Sequence, residues 1–153
     1  MNEYTINNKT LAIVPINSNK TKIYENNNVI IISKNAHQLI EENCEHYGSS
    51  YAGRKKGTVD LIGVTHKSPI VIEDSSSIIF FPTCSPRLKE CSWISLNNIE
   101  NYGAYDDSSI IRFQNNLTLQ IPISSKILNN QILRATRLES VLRKRKQQLI
   151  EKS

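Results

Sequence analysis

The chain has 153 residues, of which 39% are apolar, and carries a formal net charge of +5 with a pI near 9.2. Such a length is most economically one domain, residues 1–153, around one core. No apolar run approaches the ~20 residues that cross a bilayer. The opening Met1-Asn2-Glu3-Tyr4-Thr5 has neither the basic nor the apolar region of a secretory signal, so a cytoplasmic protein without membrane contact is expected. Cys44, Cys84 and Cys91 are odd in number, and reduced thiols are the default reading.

In chain order, Thr10-Leu11-Ala12-Ile13-Val14 is a β-rich run, and residues 21–25 give a strand that makes a hairpin with it. Asn26-Asn27-Asn28 signals a turn before Val29-Ile30-Ile31-Ile32, an apolar run of strand length expected to be covered on both faces. Over residues 35–47 the period changes. Ala36, Leu39, Ile40, Cys44 and Tyr47 recur at helical spacing, Asn35 with Gln38 resembles a capping box, and Gly48 stands where a left-handed cap is wanted. Glu41, Glu42 and Glu45 lie off that stripe and read as a solvated face rather than acid/base machinery.

The next stretch, His46-Tyr47-Gly48-Ser49-Ser50-Tyr51-Ala52-Gly53-Arg54-Lys55-Lys56-Gly57-Thr58, holds three of the five glycines and reads as a flexible, cationic loop. Strands are expected at 59–64, 69–72 and 78–81, at least one of them central, then a loop marked by Pro82 and Pro86 and a short strand at 92–95. Residues 97–102 suggest a helical turn. Residues 109–113 and 117–121 suggest a hairpin with Gln114-Asn115-Asn116 at its tip. Ser124 or Ser125 caps a last helix to about residue 150, with Leu128, Ile132, Ala135, Leu138, Leu142 and Leu149 near one stripe. Its first half should pack on the sheet, and Arg143-Lys144-Arg145-Lys146 should reach solvent or a partner. The expected fold is α+β: a predominantly antiparallel β-sheet, one inserted helix, a long C-terminal helix and no helix-turn-helix.

Charge is concentrated in two places. From residue 131 onward Arg134, Arg137, Arg143, Lys144, Arg145, Lys146 and Lys152 face only Glu139 and Glu151, a net +5 equal to that of the whole chain. The other concentration is Arg54, Lys55, Lys56 and Lys67, and the pair suggests a nucleic-acid binder. Gly48-x4-Gly53-Arg54-Lys55 has the glycine spacing of a phosphate-binding Walker sequence, but lacks its lysine and magnesium-binding hydroxyl and does not follow a strand. A DNA reading uses the residues better. Arg54, Lys55 and Lys56 neutralise phosphates, Ser49, Ser50 and Thr58 hydrogen-bond them, His66 and Lys67 add contacts, and Arg54 suits the narrow minor groove of A-tracts. Against it stands a plain surface turn with solvated charges. Cys44, His46, Cys84 and Cys91 lack the spacing of a zinc site, and Cys91 with His66 is no convincing nucleophile and base, so no catalytic residue, metal or cofactor is assigned. The basic helix is open to three readings: phosphate contact, dimerisation, or an exposed end whose cations complement the helix dipole.

The strings Cys44-x2-Tyr47-Gly48-Ser49-Ser50-Tyr51-Ala52-Gly53-Arg54-Lys55-x-Gly57-Thr58, His66-Lys67-x-Pro69-Ile70, Phe80-Phe81-Pro82-Thr83 and Cys91-x-Trp93-Ile94-Ser95 closely resemble the ComK family of competence transcription factors. Weaker similarity continues through Pro122-Ile123-Ser124 and residues 130–134. The resemblance implies a cytoplasmic, nucleoid-associated activator of genes for DNA uptake and recombination. It implies recognition of paired AT-rich boxes in double-stranded DNA through the minor groove, by homodimers that form a tetramer on the promoter. RNA polymerase is a further candidate partner. Better-known members look longer, with a C-terminal extension that an adaptor delivers to a protease, so such control is in doubt for a chain ending at Ser153. The alternative is a short member acting as a modulator or interaction protein through its basic C-terminal helix.

Overall fold

The apolar runs at the middle of the chain do not alternate because the sheet they enter is buried on both faces. In the computed structural model, which describes residues 2–152, the elements are β1 (Thr10–Asn17), β2 (Lys20–Glu25), β3 (Asn28–Ile32), α1 (Ala36–His46), α2 (Tyr51–Ile62), β4 (Ile70–Glu73), β5 (Ile78–Pro82) and β6 (Trp93–Ser95). After a 3-10 turn at Leu96–Asn98 come β7 (Ile99–Tyr105), β8 (Ser108–Phe113), β9 (Thr118–Ile121) and α3 (Ser125–Glu151). Six strands form one sheet in the order β3-β2-β1-β6-β5-β4, and β7-β8-β9 form a second. Every pairing is antiparallel.

Period-two geometry sends alternate residues of the large sheet to two separate cores. Ile13, Ile23, Ile70, Ile72, Ile78, Phe80 and Trp93 face α1, where they meet Leu39, Ile40 and Cys44. Leu11, Ala12, Val71, Ile79, Phe81 and Ile94 face the other way, against Leu128, Ile132, Ala135 and Leu138 of α3 and Ile111, Phe113 and Ile121 of the small sheet. The result is three layers, with the large sheet in the middle. The α+β class, the antiparallel pairing and the long final helix match the sequence reading, and no helix-turn-helix is evident.

Buried polar side chains fix the edges of this stack. Asn43 of α1 accepts from Ile6 N at 2.8 Å and donates to Tyr4 O at 3.0 Å, tying the N-terminal segment to the helix. Asn98 donates to Asn8 O, Thr10 O and Ser95 Oγ, tying the 3-10 turn to the start of β1.

Three expectations are corrected. Val29-Ile30-Ile31-Ile32 is not covered on both faces: β3 is an edge strand, and Val29 and Ile31 are 52% and 53% exposed. The helical turn expected over 97–102 is confined to Leu96–Asn98, and the rest begins β7, whose burial is too slight to leave an alternating pattern. The largest correction concerns the glycine-rich loop and the strand expected at 59–64. Residues 51–62 form a second inserted helix, α2. Ser50 caps it, accepting from Gly53 N at 2.9 Å, and Gly63, at φ +72°, closes it in the left-handed region. Gly53 and Gly57 each cost about 1 kcal/mol relative to alanine in a helix. Burial of Thr58 and partial burial of Tyr51, Leu61 and Ile62 against the rest of the protein outweigh that cost.

Candidate functional site

The joint between α1 and α2 is a fixed corner. Gly48, at φ +89°, donates to Glu45 O at 3.0 Å while Ser49 N donates to Cys44 O at 3.0 Å, the paired bonds of a Schellman cap. Ser50 is exposed beside it, and Ser49 is half-buried. Arg54 lies back over this corner: it is half-buried, its Nη2 donates to Tyr47 O at 3.4 Å, and its Nε is buried without a partner. A cation here meets the negative end of the α1 dipole.

Thr58 is buried, and its hydroxyl donates to Pro69 O at 2.6 Å. That corrects its assignment as a phosphate contact, because the one donor of the side chain holds α2 to the start of β4. Lys55 and Lys56 are exposed, and Lys56 shares its charge with Asp60 one turn on, at 3.4 Å.

Beyond α2 the chain turns sharply, with Lys67 at φ +50°. Side chains from α2, from α3 and from the turn itself brace it. Ser68 Oγ donates to Val64 O at 3.0 Å, and Thr58 reaches Pro69. From α3, Gln131 Nε2 donates to Lys67 O at 2.9 Å and to Pro82 O at 2.8 Å, while Arg134 Nη1 donates to His66 O at 3.2 Å and Gln131 Oε1 at 3.0 Å. Gln131, fully enclosed, therefore sets the spacing between the 66–67 turn and the end of β5. His66 is left exposed and Lys67 half-buried.

Between that turn and the β5–β6 loop opens a cleft of about 1090 Å³. Tyr51, Cys91 and Trp93 lie at its base, and the Tyr51 and Trp93 rings meet edge to face at 6.3 Å. One wall carries Lys55, His66 and Lys67, the other Arg87 and Lys89, and Asn35, Ala36 and His37 bring the N-terminus of α1 to it. Among the described residues no aspartate or glutamate lines it. His37 Nε2 sits 3.1 Å from Glu41 on the helix behind. Among the described residues, Lys55, Lys67, Arg87 and Lys89 take part in no ion pair. Four free cations facing one concavity without a counter-charge focus a positive potential there.

The cysteines play a different part. Cys44 and Cys91 are buried, and burial pushes their thiols up to about 11 and about 12, so both stay protonated at neutral pH. Cys84 is half-buried, and all three are free.

The second basic concentration stands apart from the cleft. Arg137, Arg143, Lys144 and Arg145 are exposed along α3, whereas Lys146 is held 3.3 Å from Asp74 Oδ1 and also donates to Asp74 O. Asp74 follows the far end of β4 from Lys67, and at 1.5 Å per residue Lys146 lies about 22 Å along the helix from Gln131. Arg134, by contrast, is tied to the 66–67 turn through His66 O and Gln131. Residues missed in the sequence are Arg87, Lys89, His37 and Gln131. The signal for the first two was present in a loop marked by prolines with cations two residues apart, Pro86-Arg87-Leu88-Lys89.

Fold and cleft define a small basic α+β protein with four unpaired cations around one concavity and a second basic surface on α3, and among the described residues no helix is long and apolar enough to cross a membrane. The chain belongs to the ComK family. The family model described as ComK protein matches residues 1–147. The Competence transcription factor of Bacillus subtilis (strain 168) is similar to it, with 33% identity over 144 residues that cover 92% of this chain and 75% of that protein. No solved structure matches the chain.

Proposed function

We propose that this protein is a competence transcriptional regulator that binds double-stranded DNA, recognises paired AT-rich boxes through the minor groove, and activates genes for DNA uptake and recombination. The observation that carries this reading is the cleft: Lys55 and Lys67 face it unpaired, and among the described residues no carboxylate lines it, in a chain of the ComK family. Such cations are suited to phosphates, whose condensed counterions they displace. Ser50, Lys56 and His66 extend the same surface, and Arg54 acts from behind by fixing the corner between α1 and α2. Residues 1–153 act as one DNA-binding domain in the cytoplasm. Homodimers pair on successive boxes spaced by whole or half helical turns, forming a tetramer. The exposed Arg143, Lys144 and Arg145 of α3 serve a second phosphate contact or the joint between protomers.

Fluorescence anisotropy tests the reading, with a duplex carrying two phased A-tract and T-tract boxes against a GC-rich duplex of equal length, across a salt series. A preference for the first of ~10³ or more is expected of a specific regulator. Equal and steeply salt-dependent binding to both would reduce the surface to a non-specific one.

A further inference from the structure

If the protein reads the minor groove, α2 does not enter it. A helix with its side chains is about 10–12 Å across, and the groove of B-DNA is about 6 Å wide. The body of α2 can lie only along the phosphate ridges, and a side chain presented at the tip of a projecting loop reaches the groove floor with the least steric conflict. Among the described residues, Arg87 is the one arginine that sits in neither a helix nor a strand.

The β5–β6 loop is built to present it. Thr83 N donates to Ser92 O at 2.9 Å and Ser92 N to Thr83 Oγ1 at 3.1 Å, closing the base. Two successive turns follow: Leu88 N donates to Ser85 O at 3.0 Å, and Cys91 N to Leu88 O at 3.1 Å. Pro86 occupies the second position of the first turn, where its fixed φ is favoured, and Arg87 the third, at the tip. The arm is thus ordered before any ligand arrives, which lowers the entropic cost of binding. Arg87 is exposed and unpaired, across the cleft from Lys55 and Lys67, and Leu88 beside it is 47% exposed. A weakly hydrated guanidinium suits a narrow A-tract groove better than an ammonium does, and an apolar neighbour is a common companion at minor-groove contacts.

We propose that Arg87 enters the minor groove of the DNA while Lys55 and Lys67, on the facing wall, hold the adjoining phosphodiester strand. The inference rests on the DNA-binding reading above and assigns base discrimination to the β5–β6 arm instead of to Arg54. The test uses the full chain as wild type, Arg87→Ala, Arg87→Lys and Lys55→Ala, each checked for an unchanged circular dichroism spectrum. Three duplexes are compared by anisotropy: AT boxes, the same boxes rebuilt with inosine·cytosine pairs, and GC boxes. Inosine·cytosine keeps the minor-groove pattern of A·T by lacking the guanine amino group, while its major groove resembles G·C. Wild type is expected to bind the first two alike and reject the third. Arg87→Ala should shrink that discrimination about tenfold or more, and Arg87→Lys should restore little of it. Lys55→Ala should weaken all three duplexes alike and lower the salt slope by about one. An Arg87→Ala variant that keeps full discrimination, or that weakens all duplexes equally, would overturn the inference alone. A wild type blind to base composition would overturn the DNA-box reading and this inference with it.

Discussion

Replacing Gln131 by methionine tests how the cleft is held. The side chain is 1% exposed, and its amide donates to Lys67 O and Pro82 O at 2.9 and 2.8 Å. Methionine fills a similar volume with an adaptable chain, so the cavity contribution stays small. Two acceptors lose their donor; at about 1–3 kcal/mol for the buried Pro82 O and about 1 kcal/mol for the part-buried Lys67 O, the variant should be less stable by about 2–4 kcal/mol. Arg134 loses one acceptor but keeps His66 O and partial access to water, adding little. With a urea dependence of about 1–3 kcal/mol per molar, the unfolding midpoint should fall by about 1–2 M. The fluorescence of Trp93, the only tryptophan, reports the transition from the base of the cleft. DNA affinity of the folded variant should fall as well, since both walls hang on this amide. A loss of stability below ~0.5 kcal/mol would refute the bridging role, because a net hydrogen bond even at the low end contributes that much.

Further substitutions separate helix from loop and scaffold from contact. Gly57→Ala should stabilise the protein by about 0.5–1 kcal/mol, since a Cβ there meets nothing within 4 Å. Were the segment a loop needing glycine freedom, stability or DNA affinity would drop instead. Gly48→Ala, at φ +89°, should destabilise by about 1–2 kcal/mol in thermal unfolding. Thr58→Val should cost about 1–2 kcal/mol while leaving the salt slope of DNA binding unchanged; a shallower slope would return Thr58 to the phosphate contacts. The Ser75 hydroxyl and the Ser75 and Ser76 amides hold the Glu73 carboxyl down to about 2. Because that lies below the unfolded value of about 4.3, Glu73 stabilises the fold above the unfolded value, and this contribution fades as pH falls toward 2. Glu73→Gln should flatten stability against pH in that window, and an NMR titration of Glu73 near 4.3 would refute the argument.

What the sequence disclosed depended on how each segment is buried. Long apolar runs such as 70–72 and 78–81, and the stripe Leu128, Ile132, Ala135 and Leu138, announce themselves because their burial is wholly hydrophobic. Helix α2 did not, since its inward face carries Arg54 and Thr58 among the apolar side chains and two glycines interrupt it. Val29 to Ile32 misled in the opposite sense: hydrophobicity suggested a covered strand, and the chain placed it at the sheet edge. The cleft was illegible for another reason. Its cations come from α2, the 66–67 turn and the β5–β6 loop, and only the tertiary fold brings Lys55 and Arg87 to one concavity. Proximity in sequence revealed the first cluster and hid its partner.

The two-sided burial of the large sheet also governs how the protein is made. β1 lies at its centre and pairs with Trp93 and Ile94 of β6, so the sheet cannot close until most of the chain exists. Even then Leu11, Val71, Ile79 and Phe81 await α3, whose anchoring residues end at Leu138. At ~5–20 residues per second, a nascent chain carries this uncovered apolar face for about 2–9 s after β6 has been synthesised. Translation speed through the last third of the message, and any chaperone that shelters the open face, thus become determinants of yield. Substitutions that loosen the first half of α3 should be felt first as aggregation during synthesis, before any defect in the finished molecule.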